Sequence, residues 1–186
     1  MTMALPLTWG ATPAEVRRPY AADHLVDGNI LSMTRGISVA APAESTWRWL
    51  CQIAVAPYSY DWIDYRGRRS PRTLTPGADR LILGQRMAIV FKLVAFDAPH
   101  HWTAVTTPAG RRMFGQVAMT YAAEPAERGS RIVCRIVVAQ DGPVGWAWSR
   151  LLAWGDLVMM RKQLLTLKEL AERDARTEPN PGPPAS

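Results

Sequence analysis

The chain has 186 residues, 48% of them apolar and 20% charged, which suits one globular domain with a sizeable core and argues against a chain disordered throughout. Two cysteines exclude a disulfide scaffold, and no apolar run approaches the ~20 residues of a membrane span. The net charge of +6, from 22 basic and 16 acidic residues, points toward anionic partners.

Residues 1–29 are broken by Pro6, Gly10, Pro13, Pro19 and Gly28 and read as an irregular arm with one short helix at Pro13–Arg17. This start lacks the basic and apolar regions of a signal peptide, so a cytoplasmic protein is expected. Residues 30–175 carry the periodic patterns of a folded domain. In the first, Met33, Arg35, Ile37 and Val39 alternate with Ser32, Thr34, Gly36 and Ser38, as in a half-buried strand. Arg35 shares the parity of the apolar residues and should point inward unless Gly36 introduces a bulge. Pro42 suits a first helical turn, and Trp47, Leu50, Cys51 and Ala54 follow at helical spacing until Pro57.

The next stretch is aromatic and then basic. Tyr58, Tyr60, Trp62 and Tyr65 precede Arg66, Arg68 and Arg69, with a helical turn expected around residues 60–65. Such a loop is read first as a cavity rim with solvated basic flanks. Its other reading is transient contact with an anionic membrane. Much of the excess charge lies between residues 66 and 86, in Arg66, Arg68, Arg69, Arg72, Arg80 and Arg86, opposed there only by Asp79. The basic run is confined to one loop, with no stripe along a strand, so nucleic acid is not expected as a partner.

Four strands should follow, at residues 86–96, His101–Thr106, 113–121 and 132–138. The first presents Met87, Ile89, Phe91, Leu93 and Ala95 on one apolar face. Asp97-Ala98-Pro99 and Pro108-Ala109-Gly110 read as turns, and 124–130 as a loop. Short connections between neighbouring strands give an antiparallel sheet. The last element is a helix from about 144 to about 174, apolar nearly all round in its first half and amphipathic in its second. A helix of that kind needs cover on more than one side. The proline-rich tail, 176–186, reads as disordered.

Several local words support a resemblance. They are Trp9-Gly10-Ala11-Thr12-Pro13-Ala14-Glu15-Val16, Arg18-Pro19-Tyr20, and Thr34-Arg35-Gly36-Ile37-Ser38-Val39-Ala40-Ala41-Pro42. Trp47-Arg48-Trp49-Leu50-Cys51-Gln52-Ile53, Tyr58-Ser59-Tyr60-Asp61-Trp62 and Met159-Met160-Arg161-Lys162-Gln163-Leu164 complete the set. With the order of elements, they resemble the START-like helix-grip superfamily, or SRPBCC, in an uncharacterised actinobacterial branch. That superfamily includes polyketide cyclases and lipid-transfer proteins. The resemblance implies an α+β helix-grip fold, with a curved antiparallel sheet wrapped around a long C-terminal helix and a cavity between them.

Chemistry is sparse. There is no GxGxxG, P-loop, HExxH or GxSxG motif, so no cofactor is expected. His24, His100 and His101 lack metal-ligand spacing, and Cys51 and Cys134 read as buried free thiols. Asp61 and Asp64 read as exposed turn carboxylates before an acid/base pair. Asp156 is more informative: Leu152, Ala153, Met159 and Met160 surround it on its own helix, so no local cation can pair with it. A polar pair with Arg35 at the cavity wall is expected.

The function expected is binding, or transport, of an apolar small molecule or lipid. Trp47, Met87, Ile89, Phe91, Trp102, Met119, Ile136 and Trp154 would supply apolar area, with Trp62 at the rim. Tyr60, Gln116 and Asp156 would orient polar groups. Two alternatives stay open: a polyketide cyclase or dehydratase-like enzyme, and a protein-interaction module with a filled core. The module would expose a large apolar patch. Ligand identity and oligomeric state are not specified.

Overall fold

A computed structural model describes residues 4–60 and 69–177. The elements run β1 (Thr8–Trp9), α1 (Pro13–Arg17), a 3-10 turn (Ala21–His24), β2 (Ile30–Val39) and α2 (Ala43–Cys51), which a second 3-10 turn (Gln52–Ala54) extends. Then come β3 (Arg86–Met87), β4 (Phe91–Asp97), β5 (His101–Thr106), α3 (Pro108–Phe114), β6 (Val117–Ala126), β7 (Gly129–Ala139) and α4 (Gly142–Thr177). The seven strands form one open sheet in the order β1-β2-β7-β6-β5-β4-β3. All neighbours are antiparallel except β1, which adds to β2 in parallel and makes the sheet mixed.

The inner face of the sheet carries Met33, Leu93, Trp102, Ala104, Met119, Tyr121, Ile132, Cys134 and Ile136 in one core with α2 and α4. Alternation explains this set, because successive side chains on a strand point to opposite faces. The second half of α4 is fixed polar group by polar group. Asp174 accepts from Trp49 Nε1 at 3.0 Å, Lys168 Nζ donates to the Ser38 carbonyl at 2.9 Å, and Glu172 accepts from the Ala40 amide at 2.7 Å.

The arm lies against the outer face. Ala22 and Val26 pack on Ala118 and Val137. Arg135 points outward, donates to the carbonyls of Val16 and Arg18 at 2.8 and 3.0 Å, and stacks on the Tyr20 ring. Thr12 and Glu15 form a reciprocal capping box that starts α1, with Pro13 in its first turn. The arm crosses β2 closely at Gly36, where a Cβ would meet the Ala11 Cα at 3.1 Å.

Three sequence expectations are corrected. Residues 86–96 are not one strand. Ala88 and Ile89 take left-handed φ of 41° and 68°, turning the chain so that Met87 pairs with Phe91. The apolar parity therefore breaks: Met87 and Leu93 are buried, but Ile89 is exposed at the turn. Residues 108–114 are not a turn and the start of a strand but a helix. Thr107 caps it by accepting from the Gly110 amide at 3.2 Å, and Pro108 occupies its first turn. The 124–130 loop is in fact the end of β6 and the start of β7, with Ala126 paired to Gly129. The expected turn at 60–65 falls largely outside the described residues.

Candidate functional site

The continuous register of β2 against β7 leaves no bulge at Gly36, so Arg35 points into the grip. It pairs in register with Cys134 on β7, which pairs with Tyr121 on β6. Tyr121 pairs with Trp102 on β5, and Trp102 with Phe96 on β4. One transverse row of the inner face thus reads Arg35, Cys134, Tyr121, Trp102, Phe96. The adjacent row is wholly apolar: Met33, Ile136, Met119, Ala104, Leu93.

Helix α4 meets the polar row from above. Asp156 Oδ2 accepts from Arg35 Nη2 at 2.9 Å, while Arg35 Nη1 donates to the Leu7 carbonyl at 2.9 Å. The guanidinium is fully buried and the carboxylate 22% exposed. Burial pushes the Asp156 pKa from 3.8 to about 6, against the opposing pull of Arg35. Two turns along, the Tyr121 hydroxyl donates to Gln163 Oε1, and Gln163 Nε2 donates to the Pro57 carbonyl at 2.6 Å. Burial raises the pKa values of both the Tyr121 hydroxyl and the Cys134 thiol well above their usual ranges, so both are held protonated. Trp102 stacks on Tyr121 with ring centroids 4.5 Å apart, and its fully buried indole Nε1 has no acceptor among the described residues.

The other anticipated site residues distribute unevenly. Trp47, Met87, Trp102, Met119 and Ile136 are buried in the core between sheet and helices, and Phe91 packs against it. Ile89 is 45% exposed at its turn. Gln116 lies outside the core cluster, donating to the Leu25 carbonyl at 3.3 Å. Trp154 is 53% exposed on the outward side of α4. Tyr60 is half-buried, and Trp62, Asp61 and Asp64 lie outside the described residues. Tyr121 and Gln163 escaped the sequence reading. Both carried a signal: Tyr121 shares the parity of Met119, and Gln163 is a polar residue seven positions after Asp156 on the same apolar face.

Two surface clefts lie away from this row. One, between the arm and the outer sheet face, is lined by Arg18, Tyr20, His100, His101 and Glu124. The other sits beside Ile53–Ala56, Arg86 and Ile89. Among the described residues, no three His, Cys, Asp or Glu side chains are placed to hold a metal ion, and no helix is long and apolar enough to cross a membrane.

A sheet that curves round one long terminal helix, preceded by a strand and a helix, is the decisive arrangement, and solved structures share it. The chain has an α+β helix-grip fold. A Thermobifida fusca protein solved by NMR matches over 76% of this chain and 93% of its own, at 14% identity and a TM-score of 0.52. A Mesorhizobium loti crystal structure matches over 76% and 97%, at 14% identity and a TM-score of 0.51. The di-domain ARO/CYC StfQ from the steffimycin biosynthetic pathway matches 79% of this chain with 52% of its own, at 11% identity and a TM-score of 0.49. No family model matches the chain, and no curated protein is similar to it.

Proposed function

We propose that this helix-grip protein binds a hydrophobic or amphipathic small molecule between the sheet and α4, with the Arg35–Trp102 row orienting its polar end. The observation that carries this reading is the composition of that row. A buried indole N–H without an acceptor costs a core about 1–3 kcal/mol. That donor shares one transverse row with a buried hydroxyl, a thiol and an ion pair, and the row next to it is apolar. A mostly apolar lining with a few convergent polar groups is the usual composition of a small-molecule site. A ligand carbonyl or hydroxyl would supply the missing acceptor. Lipids and polycyclic aromatic ketones both offer that chemistry.

The enzymatic reading has one specific observation in its favour. A carboxyl with a pKa near 6 is a workable proton donor and acceptor near neutral pH, and the protonated Tyr121 phenol lies in the same row as its Arg35 partner. It would suit a cyclase or dehydratase acting on a polyketide-like substrate.

The test is native mass spectrometry of the purified protein, followed by organic extraction and titration with fatty acids, sterols and aromatic polyketides. One stoichiometric apolar ligand is expected. Trp102→Phe keeps the stacked ring and removes the N–H, and should weaken binding about tenfold. A protein that is empty and ignores every class would overturn the reading.

A further inference from the structure

Helix α4 is apolar on two opposite sides, and the protein covers only one. Ser149, Ala153, Leu157, Met160, Leu164, Leu167 and Ala171 recur every three or four residues and are buried toward the sheet and α2. The opposite side of the first four turns carries Val144, Trp148, Leu151, Trp154 and Val158, all exposed, and Trp146 is exposed beside them. Beyond Val158 the same side becomes largely polar, with Arg161, Lys162, Thr166 and Glu169. Most of the exposed apolar surface of this helix therefore lies in its first half, with Leu165 the exposed exception beyond it. Three of the six members in that half are tryptophan, the residue whose apolar body and N–H suit a surface that is dry on one side and wet on the other.

The charges around this face are mainly of one sign. Between Gly142 and Leu165 the ionisable residues are Arg150, Asp156, Arg161 and Lys162. The single carboxylate, Asp156, is turned inward onto Arg35. Among the described residues, none of the three cations forms an ion pair with a carboxylate. Arg150 lies over the Trp146 ring and Arg161 over Trp9, while Lys162 is exposed. With the exposed Asp141 just before the helix, the surface carries three cations against one carboxylate. An anionic lipid surface answers both features, taking the indoles at headgroup depth and the cations against phosphate and carboxylate groups.

We infer that the outward face of Val144–Trp148–Leu151–Trp154–Val158 docks the protein on an anionic bilayer surface. This inference does not rest on the reading of the interior, because it concerns the opposite side of the helix.

The experiment is co-sedimentation of the full chain with phosphatidylcholine vesicles, with and without phosphatidylserine. Binding should favour the phosphatidylserine vesicles by about 100-fold, from three cations near the surface, and should weaken with added salt. The triple variant Trp148→Ser, Leu151→Ser, Trp154→Ser should lose binding with an unchanged far-ultraviolet circular dichroism spectrum. Arg161→Glu with Lys162→Glu should erase the phosphatidylserine preference. In the parent protein, lipids brominated on the acyl chain should quench tryptophan emission, a readout that needs no variant. Absence of binding to either vesicle would overturn the inference. So would a solution dimer that the triple variant dissociates, which would assign the face to a second copy.

Discussion

The ion pair between Arg35 and Asp156 sits where a fully packed core would place two apolar side chains, and its energetics are set by burial. The Asp156 carboxyl holds its proton to about pH 6, against an ordinary value of 3.8. The folded state thus binds more protons than the unfolded state between these values, and stability falls as pH rises through the interval. It is level above, after a total loss of about 3 kcal/mol. Asp156→Asn, which mimics the protonated form, should flatten this slope, measured by urea unfolding across pH. A variant that keeps the parent's slope would remove Asp156 as its source. The pair was legible in the sequence because Asp156 has no cation within a turn and Arg35 shares the apolar parity of its strand. The lone Trp102 N–H was not legible, since an unpaired donor is defined by what surrounds it in space.

At the scale of elements, strand parity and helix spacing located β2, α2, β5, β7 and α4, because each carries a run long enough for a period to show. Parity failed where a local backbone choice overrode it. In residues 86–96 one parity is apolar throughout, yet Ala88 and Ile89 adopt left-handed φ and divide the run into two strands. A β-branched residue there is strained by about 1–3 kcal/mol. Ile89→Asn, which tolerates that conformation and forfeits little burial, should raise stability by about 1 kcal/mol in thermal unfolding. A loss of stability would mean that the isoleucine side chain matters more than its backbone. Helix α3 was missed for a different reason. Thr107-Pro108 is a cap followed by a favoured first residue, but Pro108-Ala109-Gly110 read alone looks like a turn.

In the whole molecule the sheet separates two roles. Its outer face is closed by the arm, through Ala22, Val26 and the Arg135–Tyr20 stack, and its inner face grips α2 and α4. Neither the parallel addition of β1 nor the docking of the arm was legible in the sequence. Both depend on pairings between distant segments, and a two-residue strand has no period of its own. The order of elements was enough to expect the grip, but not which side of α4 would remain uncovered. The central claim concerns the inner side, where an unpaired indole awaits an acceptor. The most direct measurement is the indole N–H region of a ¹⁵N spectrum during titration with apolar ligands, with the Trp102 signal assigned by its loss in Trp102→Phe. A ligand that fills the grip should shift the Trp102 resonance strongly and leave that of the outward Trp154 in place. Ligand binding that moves Trp154 and leaves Trp102 unchanged would contradict the account.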